Sequence, residues 1–568
     1  MMDIDATRRG ILDNDGHLLI EGGPGSGKTT IALLKAAQVL EALQPEQHVL
    51  FLSFSRAAVR QIADRVTEHI AYSVRDHLEV RTFHAFFLDF VRAHGSLLTG
   101  RPSAFLPPDE ERRRKADHDG DWSVEVLVLA QQGVYVFDQL AATAATLFER
   151  STALRHLYSD RYPLIIVDEF QDTNIDQWRA IKALAEQSAI ICLADPDQRI
   201  YEGFVKGVDD ARLQQAVDVL SPTRFSLGVD NHRSKGNGIL AYADAVLRNQ
   251  PAEVPDAIDY LSYRPGYKPE HVAHWAIHFL HDKLTAQLGH RPTIAVLGTS
   301  GLFVARISEA ISTDRVLAGK TLPAIDHELV WDPGLAAAAG YVVASILEWP
   351  ALPRTEAVTA TLHAIADFYR IKTADKETQS ARQAIATTVR AIEALTTGRR
   401  PASKTAKAMI QAYDEEIQLT GNPVTDWQLA RARLQGSPQL AEIFGKARLL
   451  RLLHASDSLA WGLRDAWNGE GAYPGAADVV RSILAEELVT GPAVEPHPVT
   501  LMNLHKSKGK EFDGVVIVDE LHNAKLLDTS WPASRIIRQR RVIRVAITRA
   551  RHRVMFVRPK DAAPLVHG

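Results

Sequence analysis

The chain has 568 residues, 46% hydrophobic and 24% charged, with a formal net charge of −4. That length exceeds what one hydrophobic core organises and predicts about three to four domains, and no apolar run approaches the ~20 residues that a membrane-spanning helix needs. Cys192 is the only cysteine, which excludes disulfides within the chain and cysteine metal clusters. The near-neutral charge excludes a global basic footprint, so any nucleic-acid contact has to come from a local groove.

In chain order, the N-terminus Met1-Met2-Asp3-Ile4-Asp5 is acidic and polar rather than basic and then apolar, so no secretory signal is expected and a cytoplasmic location is. His17 to Ile20 reads as a buried strand and Thr30 to Leu40 as an Ala/Leu-rich helix. Between them Gly22-Gly23-Pro24-Gly25-Ser26-Gly27-Lys28-Thr29 satisfies G-x-x-x-x-G-K-[ST]. The glycines free the backbone to curl its N–H groups round phosphate oxygens, and the helix N-terminus adds partial positive charge. Lys28 then reaches the β- and γ-phosphates, and the Thr29 hydroxyl takes Mg²⁺. Gly22 to Thr30 is the candidate nucleotide-binding set: Gly22, Gly23, Pro24, Gly25, Ser26, Gly27, Lys28, Thr29 and Thr30. A glycine-rich turn with no ligand could carry the same eight letters, but it would have no reason to sit between this strand and this helix.

Val49 to Leu52 reads as a further strand. Leu164 to Val167 is an apolar, β-branched run that ends in Asp168-Glu169. A parallel-sheet ATPase needs carboxylates at that end, because ligands sit beyond the carboxyl ends of the strands. Asp168 is the candidate Mg²⁺ ligand, and Glu169 the group that orients or deprotonates the attacking water. A charged strand end facing solvent is the plain alternative, and the phosphate loop weighs against it. Ala189 to Leu193, Ile294 to Leu297 and Val515 to Val518 read as strands as well. The charge run Asp109-Glu110-Glu111-Arg112-Arg113-Arg114-Lys115 reads first as a solvated surface. Gln383 to Leu395, Ala406 to Ile417 and Leu440 to Leu453 read as amphipathic helices of an all-α module.

Asp168-Glu169-Phe170-Gln171-Asp172-Thr173-Asn174 resembles the DEFQDTN box of superfamily 1A helicases of the UvrD/Rep type, and further boxes follow in that family's order. Phe54-Ser55-Arg56-Ala57-Ala58 and Arg81-Thr82-Phe83-His84-Ala85-Phe86 resemble its DNA-contact boxes. Asp195-Pro196-Asp197-Gln198-Arg199-Ile200-Tyr201 resembles the box that couples the γ-phosphate to DNA, and Asn231-His232-Arg233-Ser234 the NYRS box. Leu504-His505-Lys506-Ser507-Lys508-Gly509-Lys510-Glu511-Phe512-Asp513 and Val545-Ala546-Ile547-Thr548-Arg549-Ala550 resemble the last two.

The resemblance implies an α/β fold of two RecA-like P-loop cores with parallel sheets, each interrupted by a mainly helical insertion. The first core would comprise 1–95 and 155–220, the second 221–350 and 496–568, and the insertions 96–154 and 351–495. ATP and Mg²⁺ would occupy the cleft between the cores. Gln198 would sense the γ-phosphate, Arg233 and Arg549 would supply cations from the second core, Glu511 beside Gly509 would hydrogen-bond the ribose, and His232 would stack on the base. Single-stranded DNA, or a duplex with a 3′ tail, is the implied partner. Phe54, Ser55, Thr82, His84, Tyr201, Phe204 and His505 are the candidate contacts, as polar groups and stacking faces. Phe83 and Phe86 read instead as core on an apolar helical face. Arg535, Arg538, Arg540, Arg541, Arg544, Arg551 and Arg553 make the last segment locally basic and could line a backbone groove, or in part merely flank a buried strand and point to water.

The chain departs from the family's pattern in places. Thr7-Arg8-Arg9 lacks the adenine-reading glutamine, His232 replaces a tyrosine, Val205-Lys206-Gly207 replaces an Arg-Gly-Ala run, Arg538-Gln539 replaces an acidic pair, and Arg544 stands at another tyrosine position. The implied activity is that of an ATP-dependent DNA helicase moving 3′→5′. The alternative of another class is a DNA-activated ATPase that reports to a partner nuclease, as in Gabija-like anti-phage systems, with little unwinding of its own.

Overall fold

The structure, a computed structural model, describes residues 4–566 apart from 119, 201–206, 210, 229–232, 235, 318, 331–332, 374–378, 436–439, 448–455, 491–496 and 521–524. It comprises two compact units, one of Met1–Phe90, Ala141–Val330 and Ala493–Gly568, the other of Val91–Leu140 and Trp331–Pro492.

The first unit carries two six-stranded sheets in which every ladder is parallel. One has the spatial order Leu78–Thr82, Val49–Ser53, Leu164–Val167, Ala189–Ala194, Leu18–Glu21, Thr223–Ser226. Its central strands are continuous apolar runs because helices cover both faces. Leu18, Leu19, Ile20, Leu50, Phe51 and Ile166 are all fully buried. Since the strands run the same way, their carboxyl ends share one edge, and the phosphate loop, Phe54-Ser55, Asp168-Glu169 and Asp195 all leave from it. The second sheet has the order Glu328–Leu329, Val499–Asn503, Ile294–Gly298, Phe512–Val518, Ala550–Pro559, Ile258–Tyr263. Here Glu511 and Arg549 stand just before the paired starts of two neighbouring strands, where the Phe512 N–H donates to the Arg549 carbonyl at 3.0 Å.

Three boundaries differ from expectation. The first core does not stop at 220, because Thr223–Ser226 pairs with Leu18–Glu21 and extends its sheet. The insertion expected at 96–154 ends near 140: the helix Leu140–Arg150 buries Ala144, Leu147 and Phe148 in the first unit, with the Phe148 ring stacked on Phe90 at 4.2 Å between centroids. The helical module begins before 351, since Pro333–Leu347 buries Val342, Val343, Ile346 and Leu347 in the core of the second unit.

That second unit holds the expected helices as Gln379–Thr396, Lys404–Asp414 and Ala441–Ala447; residues 448–453 of the last expectation lie outside the described residues. It also contains a small parallel pair, Ala104–Leu106 with Val134–Val136. The charge run 109–115 lies on the helix Pro108–Asp117, which packs against Arg354–Thr373 rather than standing wholly in solvent. Glu110 is mostly buried there and accepts from Arg113 Nε at 2.8 Å and Arg114 Nε at 3.1 Å. The fully buried Asp426 is satisfied by the Thr420 and Gly421 N–H groups, each at 2.8 Å, and by the Tyr473 hydroxyl at 2.6 Å. A carboxylate with that many donors costs far less to bury than an unpaired one.

Candidate nucleotide site and nucleic-acid interface

The helix after the phosphate loop begins at Lys28 and runs to Leu40. Its cap, Gly27, has φ 89° and offers no side-chain hydrogen bond, and Gly25 has φ 75°; only glycine adopts this left-handed backbone cheaply. The helix N–H groups are thereby left for a ligand. A Cβ on Gly22 would meet Ser26 Oγ at 2.5 Å, so a side chain there would force Ser26 to move. Ser26 Oγ itself is buried without a hydrogen-bond partner. A glycine cradle, an orphaned hydroxyl and a lysine in one loop form a donor set that fits a polyphosphate. Lys28 Nζ donates to the carbonyls of Gly22 at 2.6 Å and Gly23 at 3.0 Å, which parks the cation over the loop. Behind the loop, the buried Arg8 donates to the Ser26 carbonyl at 3.2 Å and pairs with Asp5. Arg8 stands in the segment where the adenine-reading glutamine is missing, and here it braces the loop.

The strand Leu164–Val167 delivers Asp168, and the Asp168 N–H donates to the Leu52 carbonyl at 2.9 Å, which fixes the strand end. Glu169 adopts φ 50°, a left-handed conformation that a non-glycine residue holds only where its surroundings enforce it. The bend turns its carboxylate to accept from Gln171 Nε2 at 2.6 Å. Gln171 Oε1 in turn accepts from the Asp195 N–H at 3.1 Å. The Asp195 carboxylate accepts from Gln198 Nε2 at 2.7 Å, and Gln198 Oε1 from Arg549 Nη2 at 3.2 Å. Glu169, Gln198 and Arg549 are thus linked by one hydrogen-bonded chain, with Arg549 supplied from the second sheet's half of the unit.

A second cation crosses the same way. Lys508 Nζ pairs with Asp172, lies 3.4 Å from Glu169 Oε2 and donates to the Gln198 carbonyl at 2.7 Å. Sequence reasoning missed it. It is one of three lysines in Lys506-Ser507-Lys508-Gly509-Lys510, and only its burial shows which one reaches across.

Arg233 donates to the Thr548 carbonyl at 3.1 Å and to Glu511 Oε1 at 2.5 Å. Glu511 also faces Arg65 at 3.4 Å and Arg551 at 3.3 Å. Against the burial that would raise it, Arg233, Arg65 and Arg551 hold the Glu511 carboxyl down at about 2. Gly509 has φ 73°, and a Cβ on it would stand 3.5 Å from Ser55 Oγ, so this segment of the second half lies against the DNA-contact box of the first. His232 lies outside the described residues.

Of the candidate DNA contacts, Tyr201 and Phe204 also lie outside the described residues. Phe54 is half-buried with its ring 5.1 Å from Phe83. The hydroxyls of Ser55 and Thr82 accept from the N–H groups of Ala58 and Ala85, both at 3.1 Å, and so serve the helices that follow. His84 and His505 are half-buried. Phe83 and Phe86 are core, as their helical face suggests. The basic segment is not a continuous groove lining. Arg540 is buried and donates to the carbonyls of Val246 at 2.6 Å and Leu565 at 2.7 Å, Arg544 is buried among aspartates, and Arg553 pairs with Asp259 at 3.3 Å.

Comparison with known proteins bears on this geometry. Residues 10–204 match the family model described as an AAA domain. The chain is 26% identical over 287 residues to ATP-dependent DNA helicase Rep of Salmonella typhimurium, 42% of each chain. It is 23% identical over 292 residues to ATP-dependent DNA helicase PcrA of Staphylococcus epidermidis, 43% of this chain and 40% of PcrA. Rep of Buchnera aphidicola is 21% identical over 278 residues, 41% of each. Over these stretches the chain is similar to Rep and PcrA helicases. The matched stretches span less than half the length of these relatives.

The electrostatics of this site follow from crowding carboxylates and cations out of water. Burial and then the neighbouring Glu169 push the Asp168 carboxyl up to about 6. Against burial, Lys508 and Lys28 hold Glu169 below its usual range. Burial, reinforced by Arg233, pushes Arg549 down to about 9, so it stays a cation at neutral pH. An Asp168 pKa raised in the folded protein contributes stability that is full below the unfolded value of 3.8 and is lost as pH rises through about 6. Asp168→Asn, neutral at every pH, is therefore expected to stabilise the protein in the absence of nucleotide and divalent cation. The gain should be on the order of 2–3 kcal/mol at pH 8 and about half that at pH 5. Thermal melting of the variant and the wild type at both pH values checks this; an equal gap at pH 5 and pH 8 contradicts it. Among the described residues no helix is long and apolar enough to cross a membrane.

Proposed function

We propose that the chain is an ATP-dependent, single-strand-gripping DNA translocase and helicase that moves 3′→5′ and hydrolyses ATP between its two RecA-like halves. The observation that carries this reading is the hydrogen-bonded chain from Glu169 through Gln171, Asp195 and Gln198 to Arg549, with Lys508 beside it. A hydrolytic site assembled from two halves couples chemistry to their opening and closing.

In this reading the loop N–H groups and Lys28 hold the β- and γ-phosphates, and Thr29 and Asp168 hold Mg²⁺, which when bound neutralises charge on the phosphate oxygens. Glu169, kept ionised by Lys508 and Lys28, orients the attacking water and takes its proton. Gln198 hands the state of the γ-phosphate to Asp195, and Arg549 with Arg233 neutralises charge that develops in the transition state. Phe54, Ser55, Thr82, His84 and His505 would hold the strand, with aromatic stacking supplying ~1–3 kcal/mol per base.

The test is ATP turnover against the length of single-stranded DNA, together with displacement of streptavidin from biotinylated ends. A motor is expected to turn over faster on longer strands and to clear streptavidin from the 3′-to-5′ exit end only. Turnover that saturates on a short oligonucleotide, with no end-specific displacement, would favour a DNA-activated sensor working with a partner protein, and displacement from the opposite end would refute the polarity.

A further inference from the structure

We propose that Arg544 is a positioning residue that clamps Asp195 from across the cleft, and through it Glu169 and Gln198, as the two halves close; this rests on the hydrolytic reading above. Arg544 lies on the helix Ala533–Ile547 and is 2% exposed. Its Nε donates at 2.7 Å to Asp244, on the helix Ile239–Arg248 of the same half. Its other face points at the first half: Nη1 lies 3.6 Å from Asp195 Oδ2 and Nη2 3.9 Å from Asp197 Oδ2.

A residue that served only to join the two helices would need nothing beyond Asp244. Arg544 instead buries an Nη1 that makes no hydrogen bond and stands just outside hydrogen-bond range of Asp195. Closure by about 0.7–0.9 Å would turn that 3.6 Å ion pair into a charge-assisted hydrogen bond of about 2.7–2.9 Å. Asp195 is the node of the site. Its N–H serves Gln171, which holds Glu169, and its carboxylate serves Gln198, which meets Arg549. A cation reaching this node from the second half therefore ties closure to the alignment of the water-activating carboxylate. Arg248 reinforces the array at longer range, 3.6 Å from Asp197 and 3.8 Å from Asp244.

The experiment compares Arg544→Gln, Asp195→Asn, their double variant and Asp244→Asn in the full chain. It measures DNA-stimulated turnover, nucleotide Kd, and hydrogen exchange, without nucleotide, of the amides of Asp195, Asp197 and Gln198, the segment 195–198 having no amide hydrogen at Pro196. Arg544→Gln is expected to lower turnover about tenfold or more with Kd within about threefold, to quicken exchange at 195–198, and to add nothing once Asp195→Asn is present. Asp244→Asn is expected to leave turnover and exchange near wild type even if it lowers the melting temperature. The proposal is overturned if Asp244→Asn reproduces the losses of Arg544→Gln, or if Arg544→Gln leaves both turnover and exchange unchanged. Should the wild type hydrolyse no ATP, the functional reading fails, and the exchange comparison alone still decides whether Arg544 holds the Asp195 turn.

Discussion

Glu169→Gln is expected to cut ATP turnover by about 10³-fold or more while leaving the protein folded and its nucleotide bound. The substitution keeps the shape and an oxygen that accepts from Gln171 Nε2, so the left-handed bend at 169 retains its support. It removes the one property the chemistry uses, a carboxylate held ionised by Lys508 and Lys28. ATP should therefore accumulate on the variant. Lys28→Ala is expected to stop turnover by another route, weakening nucleotide binding because no other side chain in the loop supplies charge to the phosphates. Neither change removes core volume, so circular dichroism and melting should stay close to wild type. Wild-type turnover in either variant, measured with saturating oligonucleotide, would sink the assignment of the site.

How much of this was legible beforehand depended on whether a residue's role is set by its neighbours in sequence or by its neighbours in space. The phosphate loop was legible because the backbone itself makes the cradle, and glycine spacing records where φ must be positive; Gly25 and Gly27 are such positions. Asp168-Glu169 was legible only together with the phosphate loop, since a charged strand end facing solvent would read the same way by itself. Lys508 was not, since in a run of alternating lysines nothing local says which one crosses to Asp172. Arg540 and Arg544 looked like members of a basic surface, and the partners that bury them, Val246 and Leu565 for one and Asp244 and Asp195 for the other, come from distant segments. The strand Thr223–Ser226 was missed because it is an edge strand with mostly exposed side chains, lacking the apolar run that marked its neighbours. The run 109–115 is a solvated surface only in part: Arg114 and Lys115 are exposed, while Glu110 is paired internally by the arginines that follow it.

Arg549→Ala carries the second large expected effect and tests the central claim, that the second half of the chain completes the hydrolytic site of the first. Arg549 is 2% exposed, meets Gln198 Oε1 at 3.2 Å, and remains charged at neutral pH. If it acts mainly on charge that develops during phosphoryl transfer, its loss slows the chemical step and not the binding step. The decisive measurement is single-turnover ATP hydrolysis by Arg549→Ala beside its nucleotide Kd, with Arg549→Lys as a variant that keeps charge but loses the planar fork. The expected result is a chemical step slower by about 10³-fold in Arg549→Ala, a partial recovery in Arg549→Lys, and a Kd within a few-fold of wild type. A normal hydrolysis rate in Arg549→Ala, or a loss that appears wholly in Kd, would contradict it.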